Sequence, residues 1–312
     1  MSETRKAFLQ IHACVLLWGF TAILGKVITL PALPLVWWRM LIVVVALALV
    51  PRVWRGVWAM PRGLLLSYAG IGVLVSLHWL TFYGAIKLSN ASVGATCMAL
   101  ATVFTALVEP KLAHRPFSRR DLLLGLAVLP GVALVVGGVP HTMWPGIAIG
   151  TLSAVFVALF GSLNKRLVEH ADPLTVTAIE LGAGMLTMSL LAPLMPMVFP
   201  AFAGSLLVLP DLHDSILLLA LALACTLLPF TLSLVALRHM SAFTAQLAVN
   251  LEPVYAIVLA MILLGEQRQL TPQFYLGVMI ILGAVLIHPL ISASPLQHPE
   301  MLGTAEAKGV AE

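Results

Sequence analysis

The chain has 312 residues, 61% of them hydrophobic and 10% charged, with a formal net charge of +4. A mean hydropathy of +1.04 is too apolar for a water-soluble fold, so most of the surface must face lipid. The basic residues lie in short loops without interleaved aromatic readers, which argues against a nucleic-acid partner.

In hydrocarbon every backbone N–H and C=O needs an internal partner, which leaves helices or closed barrels. Continuous apolar runs such as 41–50 lack the alternation of a barrel strand, so the expected class is all-α integral membrane. At about 20 apolar residues per crossing, with Pro, Gly and charged clusters as breaks, ten transmembrane helices are expected. They run Phe8–Thr29, Leu33–Val50, Gly63–Ile86, Ser89–Glu109, Asp121–Gly138, Trp144–Asn164, Pro173–Val198, Ser215–Leu237, Ser241–Gly265 and Pro272–Ile291. Arg5 and Lys6 precede the first, whose length and lack of a small-residue cleavage site make it a retained span. Phe199–Asp214 is the longest loop, and the polar stretch 293–312 reads as a disordered cytoplasmic tail. Cys14, Cys97 and Cys225 stand singly in apolar segments, so neither disulfides nor a metal site are expected. No phosphate-binding loop motif occurs, so ATP hydrolysis is not expected, and no cofactor is expected.

Alternating the loops from a cytoplasmic start puts all but four of the 17 Lys and Arg residues inside; the four are Lys26, Arg39, Lys87 and Arg268. The bias predicts both termini in the cytoplasm, in an inner or plasma membrane. Residues 85–132 resemble residues 236–284, an offset near half the chain length. This divides the chain into a first repeat, 1–140, and a second, 141–292, each of five spans and therefore inserted in opposite senses. Two inverted five-helix repeats of nearly equal energy can expose one midplane site to each side in turn, a physical reason to expect a carrier.

Charge retained within a span usually faces a cavity or a partner. Arg39 in span two has two readings, an anchor for an anionic substrate group or a side chain satisfied by carbonyls and water. Glu180 in span seven, beside Gly182 and Gly184, is a candidate for a proton or a substrate amine, against a structural hydrogen bond. An Arg39–Glu180 ion pair is not expected, because the two differ by about 200° in helical phase. In span nine Gln246 and Asn250 share a face, and Pro253 frees the carbonyl of Val249, so a kink could turn Asn250 and Glu252 toward one cavity. Glu109 is expected near water, paired with Lys111 or Arg115. In span three Trp79 and Tyr83 stack along one face with His78 and Phe82 beside them, either a cation-binding wall or an interfacial belt.

Trp18-Gly19-Phe20, Arg39, Leu264-Gly265-Glu266, and Gly277 with Gly283 follow one another in that order. On these residues the chain resembles the drug/metabolite transporter superfamily, in particular EamA-type permeases, over nearly all of its membrane-embedded length. The resemblance is further supported by His78-Trp79, Phe82-Tyr83, Glu109-Pro110, Glu180 and Asn250 through Tyr255. It implies a bundle with a central cavity, cytoplasmic termini and transport of metabolites. One departure is that the first half carries His114-Arg115 where the family has Gly-Glu, leaving Glu266 without a counterpart.

The expected function is a secondary transporter of small metabolites, amino acids or related compounds, working by alternating access and either proton-coupled or facilitative. Glu180 and Glu252 are the candidates for proton or amine binding, with His78, Trp79, Tyr83, Asn250 and Tyr255 as the cavity wall, and Arg39 and Trp18 beside them. The partners are then a small-molecule substrate, the bilayer and protons. A lipid-modifying enzyme would need clustered acids or histidines at an interface, and the acids here are scattered. A receptor or accessory protein is the other rival.

Overall fold

The computed structural model describes residues 3–291, among which there is no strand. The tail expected at 293–312 lies outside them. The helices in chain order are α1 (Glu3–Val27), α2 (Ala32–Ala48), α3 (Pro51–Ala59), α4 (Arg62–Leu88), α5 (Ala91–Cys97), α6 (Ala101–Leu112), α7 (Arg119–Leu126) and α8 (Leu129–Gly137). The second half adds α9 (Trp144–Leu167), α10 (Pro173–Leu191), α11 (Met195–Val198), α12 (Leu212–Ala222), α13 (Leu228–Leu237), α14 (Ala242–Val249), α15 (Glu252–Leu264) and α16 (Pro272–Ile291).

Eight units among the described residues are long and apolar enough to cross a membrane: α1, α4, α5–α6, α7–α8, α9, α10, α12–α13 and α14–α15. They coincide with eight of the expected spans. A ninth is α2 if it is counted with α3, which bends away from it by 94°; α16 counts as a shorter apolar helix. The α3 helix was not expected, because its Arg and Pro content reads as loop. The long loop also carries more order than its sequence suggests: Pro200–Phe202 forms a 3₁₀ turn, with Phe202 buried, and Asp211 caps α12 through the N–H of Asp214 at 2.7 Å.

Helix starts follow local chemistry. Asn90 caps α5, Ser118 α7, Asp172 α10 and Ser241 α14, each accepting an N–H of the first turn. Proline stands in the first turn of α3, α9 and α10, where its missing N–H leaves no bond unmade.

The face at Glu3 is the near face and that at Val27 the far face. Far-face ends are tied by Lys87 to the Ile28 carbonyl and by Asp214 to the Thr29 N–H and hydroxyl, at 3.0 and 2.7 Å. Near-face ends are tied by Lys165 to the Leu237 carbonyl at 2.6 Å, Arg238 to the Ala171 carbonyl at 2.9 Å, and Arg52 to Asp172.

Packing follows the division into halves. The α4 helix lies along α9, and α1 along α13, two contacts that exchange when spans one and three are swapped for six and eight. The α2–α10, α5–α15, α6–α14 and α8–α16 contacts each join equivalent spans of the two halves. Between α8 and α16 the backbones touch: a Cβ on Gly131 would come within 2.6 Å of the Gly277 carbonyl, the close approach that small residues permit in lipid.

A cavity beside two interrupted helices

The fourth span of each half is interrupted at its middle by a tighter turn, without a sharp bend. In the first, a 3₁₀ turn at Met98–Leu100 separates α5 from α6; in the second, α14 ends at Val249 and α15 starts at Glu252. Pro253 cannot donate to the Val249 carbonyl, and the bonds from Leu251 to Ala248 and from Val254 to Leu251, both 3.1 Å, tighten the chain across the gap. The two interrupted spans run antiparallel and are joined at three levels. At the middle, the Asn250 amide donates to the Thr102 hydroxyl at 2.6 Å.

At the far face Glu266 accepts from the N–H groups of Ala91 and Ser92, both at 3.0 Å, and from the Ser92 hydroxyl at 2.6 Å. At the near face Glu109 accepts from Ala242 N–H at 2.9 Å and Phe243 N–H at 2.7 Å. Each acid sits at the C-terminal end of one span and closes the N-terminus of the other, where the helix dipole and free N–H groups favour an anion. Glu266 therefore does have a counterpart, contrary to the sequence expectation, and it is Glu109. Gly265, at φ 66°, makes the left-handed turn that aims Glu266; His114 makes the same turn at φ 52°. The chain continues from it into Arg115, which returns to Glu109 at 3.3 Å, so the first-half acid comes from within α6 instead of from beyond the turn. Glu109 is only 4% exposed, so of the two expected basic partners it keeps Arg115 and buries the rest of its carboxylate in the helix cap.

Next to the breaks lies a cavity with about 970 Å³ of empty space, the part continuous with solvent included. Its inner end is Arg39 with Trp79 and Glu252, and its lining runs toward the near face through Asn164, Leu237 and Ala242. Arg39 is 2% exposed. Its guanidinium donates to the Thr226 hydroxyl at 2.5 Å, the Tyr83 hydroxyl at 2.7 Å and the Cys225 carbonyl at 3.4 Å, and its Cζ stands 3.8 Å from the Trp79 ring centroid. That carbonyl is available because Pro229, four residues on, has no N–H, and because Leu223–Leu227 is a π-helical turn, a common device at functional sites. Arg39 has no ion pair with any described acid.

Glu252, 6% exposed, faces the same cavity, and its carboxylate has neither hydrogen bond nor ion pair among the described residues. Trp18, His78, Trp79, Phe82, Phe160 and Phe230 supply aromatic wall. His78 is held by Ser153, whose hydroxyl lies 2.8 Å from Nδ1, and Trp79 meets Phe230 edge-on at 6.1 Å. Of the two readings for span three, these contacts place Trp79, His78 and Phe82 on a wall facing inward.

Other expected residues stand elsewhere. Tyr83 is fully buried behind Arg39 and outside the lining. Tyr255 is 38% exposed, on α15 where α1 passes at Gly19, and does not line the cavity. Asn250 is spent on Thr102, with its Oδ1 unpaired. Glu180 is also outside the lining: its backbone presses on Gly72 of α4, and its Oε2 accepts from Asn164 at 3.3 Å. Glu180 Oε1 and Asn164 Oδ1 are both buried without partners, and Asn164 itself reaches the cavity. Sequence reading missed Asn164, Thr226 and Cys225; the two prolines that free carbonyls in mid-span, Pro229 and Pro253, are the signal that could have pointed to the π-turn as it did to the break.

The family model for the EamA-like transporter family matches residues 5–137 and again 144–288. Among curated proteins there is no match. A solved structure described as "Crystal structure of protein" is 17% identical, with 92% of this chain and 97% of that chain covered at a TM-score of 0.66; at that identity the likeness speaks for the fold alone.

Proposed function

The chain belongs to the EamA-like transporter family, and from that premise we propose that it carries small zwitterionic metabolites, amino acids or close relatives, by alternating access. Membership makes it a multi-pass membrane transporter built of two repeats. The finer reading is ten spans, counting α2 and α16, in two inverted halves with both termini in the cytoplasm of a plasma or inner membrane.

The observation that carries the substrate class is the pair Arg39 and Glu252, a guanidinium and a carboxyl group at one end of one cavity with no salt bridge between them among the described residues. Buried unpaired charge is expensive. A ligand with a carboxylate for the guanidinium and an ammonium for Glu252 relieves both costs, while the cavity's aromatic rings take its side chain. Trp79, already beneath Arg39, fixes the guanidinium plane so that its fork is preorganised for a carboxylate. Glu180, reached from the cavity through Asn164, is the second acid and the candidate carrier of a coupling proton: its Oε1 is buried without a donor, an oxygen that can take up a proton.

The two carboxylate clasps give the exchange a mechanism. Opening either face separates an acid from the helix it closes, and the bonds at the other face hold the opposite end shut. The test is uptake by proteoliposomes from a mixed metabolite extract, read by mass spectrometry with and without an imposed proton gradient, against protein-free vesicles. Enrichment of amino acids is the expected result, and its dependence on the gradient decides coupling. Enrichment of compounds lacking either charge would overturn the zwitterion assignment.

A further inference from the structure

The nine-residue α3 helix leaves α2 at 94°, so with α2 crossing the bilayer it runs along the near-face surface. Its sides divide three ways. Val53 is buried and Gly56 lies against Thr175 of α10, which is the side facing the bundle. Trp54 and Trp58, four residues apart and 49% and 83% exposed, share a second side. Arg52 and Arg55 share the third, and Arg62 follows just beyond the helix.

The orientation of those sides is set by two contacts. The Trp54 indole donates to the Ala48 carbonyl at 2.7 Å, and Ala48 is the last residue of α2, so the tryptophan side sits at the level where α2 leaves the bilayer. Arg52 pairs with Asp172 in the near-face loop before α10, so the arginine side points toward water. Arg55 and Arg62 are exposed, with no hydrogen bond or ion pair among the described residues, and α3 contains no acid.

We propose that α3 is an interfacial helix that binds anionic phospholipid headgroups of the near-face leaflet, with Trp54 and Trp58 at the level of the glycerol backbone and Arg55 and Arg62 on the phosphates. Indoles favour that depth because one edge is apolar and the other donates a hydrogen bond. Arginine forks suit phosphate oxygens, and a short basic amphipathic helix is the form such binding takes. The surface is separate from the cavity, so its test does not depend on the transport reading.

The protein is reconstituted in phosphatidylcholine vesicles doped with graded amounts of acyl-brominated phosphatidylglycerol or acyl-brominated phosphatidylcholine. Tryptophan fluorescence is followed, and the difference between the parent and Trp58→Phe isolates Trp58. The expected result is half-maximal quenching at a mole fraction about fivefold lower for the anionic lipid per arginine engaged. That preference shrinks in Arg55→Gln and Arg62→Gln, and collapses for the unaltered protein in 0.5 M salt, a condition on the order of a 4 Å screening length. Equal half-points for the two lipids overturn the anionic preference. Absence of any Trp58 component in the quenching overturns the interfacial placement.

Discussion

Replacing Glu266 by Gln tests the clasps most directly. The carboxylate holds two backbone N–H groups and a hydroxyl at the far end of α5. A glutamine keeps one accepting oxygen and turns an NH₂ toward donors, so one or two charge-assisted bonds are lost, at roughly 1.5–3 kcal/mol each when buried. Bilayer hydrogen bonds run weaker than this, with double-mutant values nearer 0.6 kcal/mol on average, so about 2 kcal/mol is a reasonable middle, a shift of about 30-fold toward the far-open state. Glu109→Gln removes the matching bonds to Ala242 and Phe243 and must shift the balance the other way. The assay uses a cavity reporter, Ser233→Cys, with Cys14, Cys97 and Cys225 replaced by Ala, and a membrane-impermeant maleimide added to one side at a time. Far-side labelling is expected to rise in Glu266→Gln and fall in Glu109→Gln. Movement of both variants in one direction, or of neither, would refute the reasoning.

His114 occupies a left-handed turn at φ 52° and is exposed, so His114→Gly should raise stability by about 1 kcal/mol, seen as a higher thermal midpoint in detergent. Arg39→Lys keeps the charge but cannot span Thr226, Tyr83 and the Cys225 carbonyl together; uptake efficiency should fall at least about tenfold with expression retained, and wild-type uptake would count against an anchoring role. Glu180→Gln should abolish gradient-driven uptake at normal expression, and a variant that still concentrates substrate would remove Glu180 from coupling. Gly277→Ala sets a Cβ against the Gly131 carbonyl and within 2.9 Å of the Val135 nitrogen, and a loss of about 1–3 kcal/mol is expected from forcing α8 and α16 apart.

The spans were legible because lipid demands long apolar helices whose ends carry caps, prolines and charge. Where hydropathy alone had to decide, reading was coarser: α3 is short, basic and amphipathic, so it does not differ from loop until a tertiary surface receives Val53 and Gly56. Within the cavity, Arg39, His78, Trp79 and Glu252 were nameable from their chemistry in apolar surroundings, and Trp18 from the family resemblance. Helical phase then failed at two places for identifiable reasons. The break between Val249 and Glu252 resets the phase, so Gln246 and Glu252 both reach the cavity while Tyr255 faces outward. The π-turn at Leu223–Leu227 does the same in the eighth span, and brings Thr226 to a residue 187 positions away in sequence. The pairing of Glu109 with Glu266 stayed hidden because position-by-position comparison of the halves looks for an acid after His114 and finds Arg115. The equivalence lies in what the carboxylates hold, not in their register.

Arg115 introduces a difference between otherwise similar clasps. Its side chain is 45% exposed and that of Glu109 6%, beside a hollow lined by Thr105, Ser118 and Asp121, whereas Glu266 is bonded to backbone and hydroxyl groups with no cation paired to it among the described residues. Dissolved ions on the near side therefore screen part of one clasp and leave the other untouched. Under the alternating access proposed above, the resting balance between the two faces becomes a function of the electrolyte bathing a single side of the membrane, so transport in two directions under identical substrate gradients would be unequal as soon as the salt on the two sides differs.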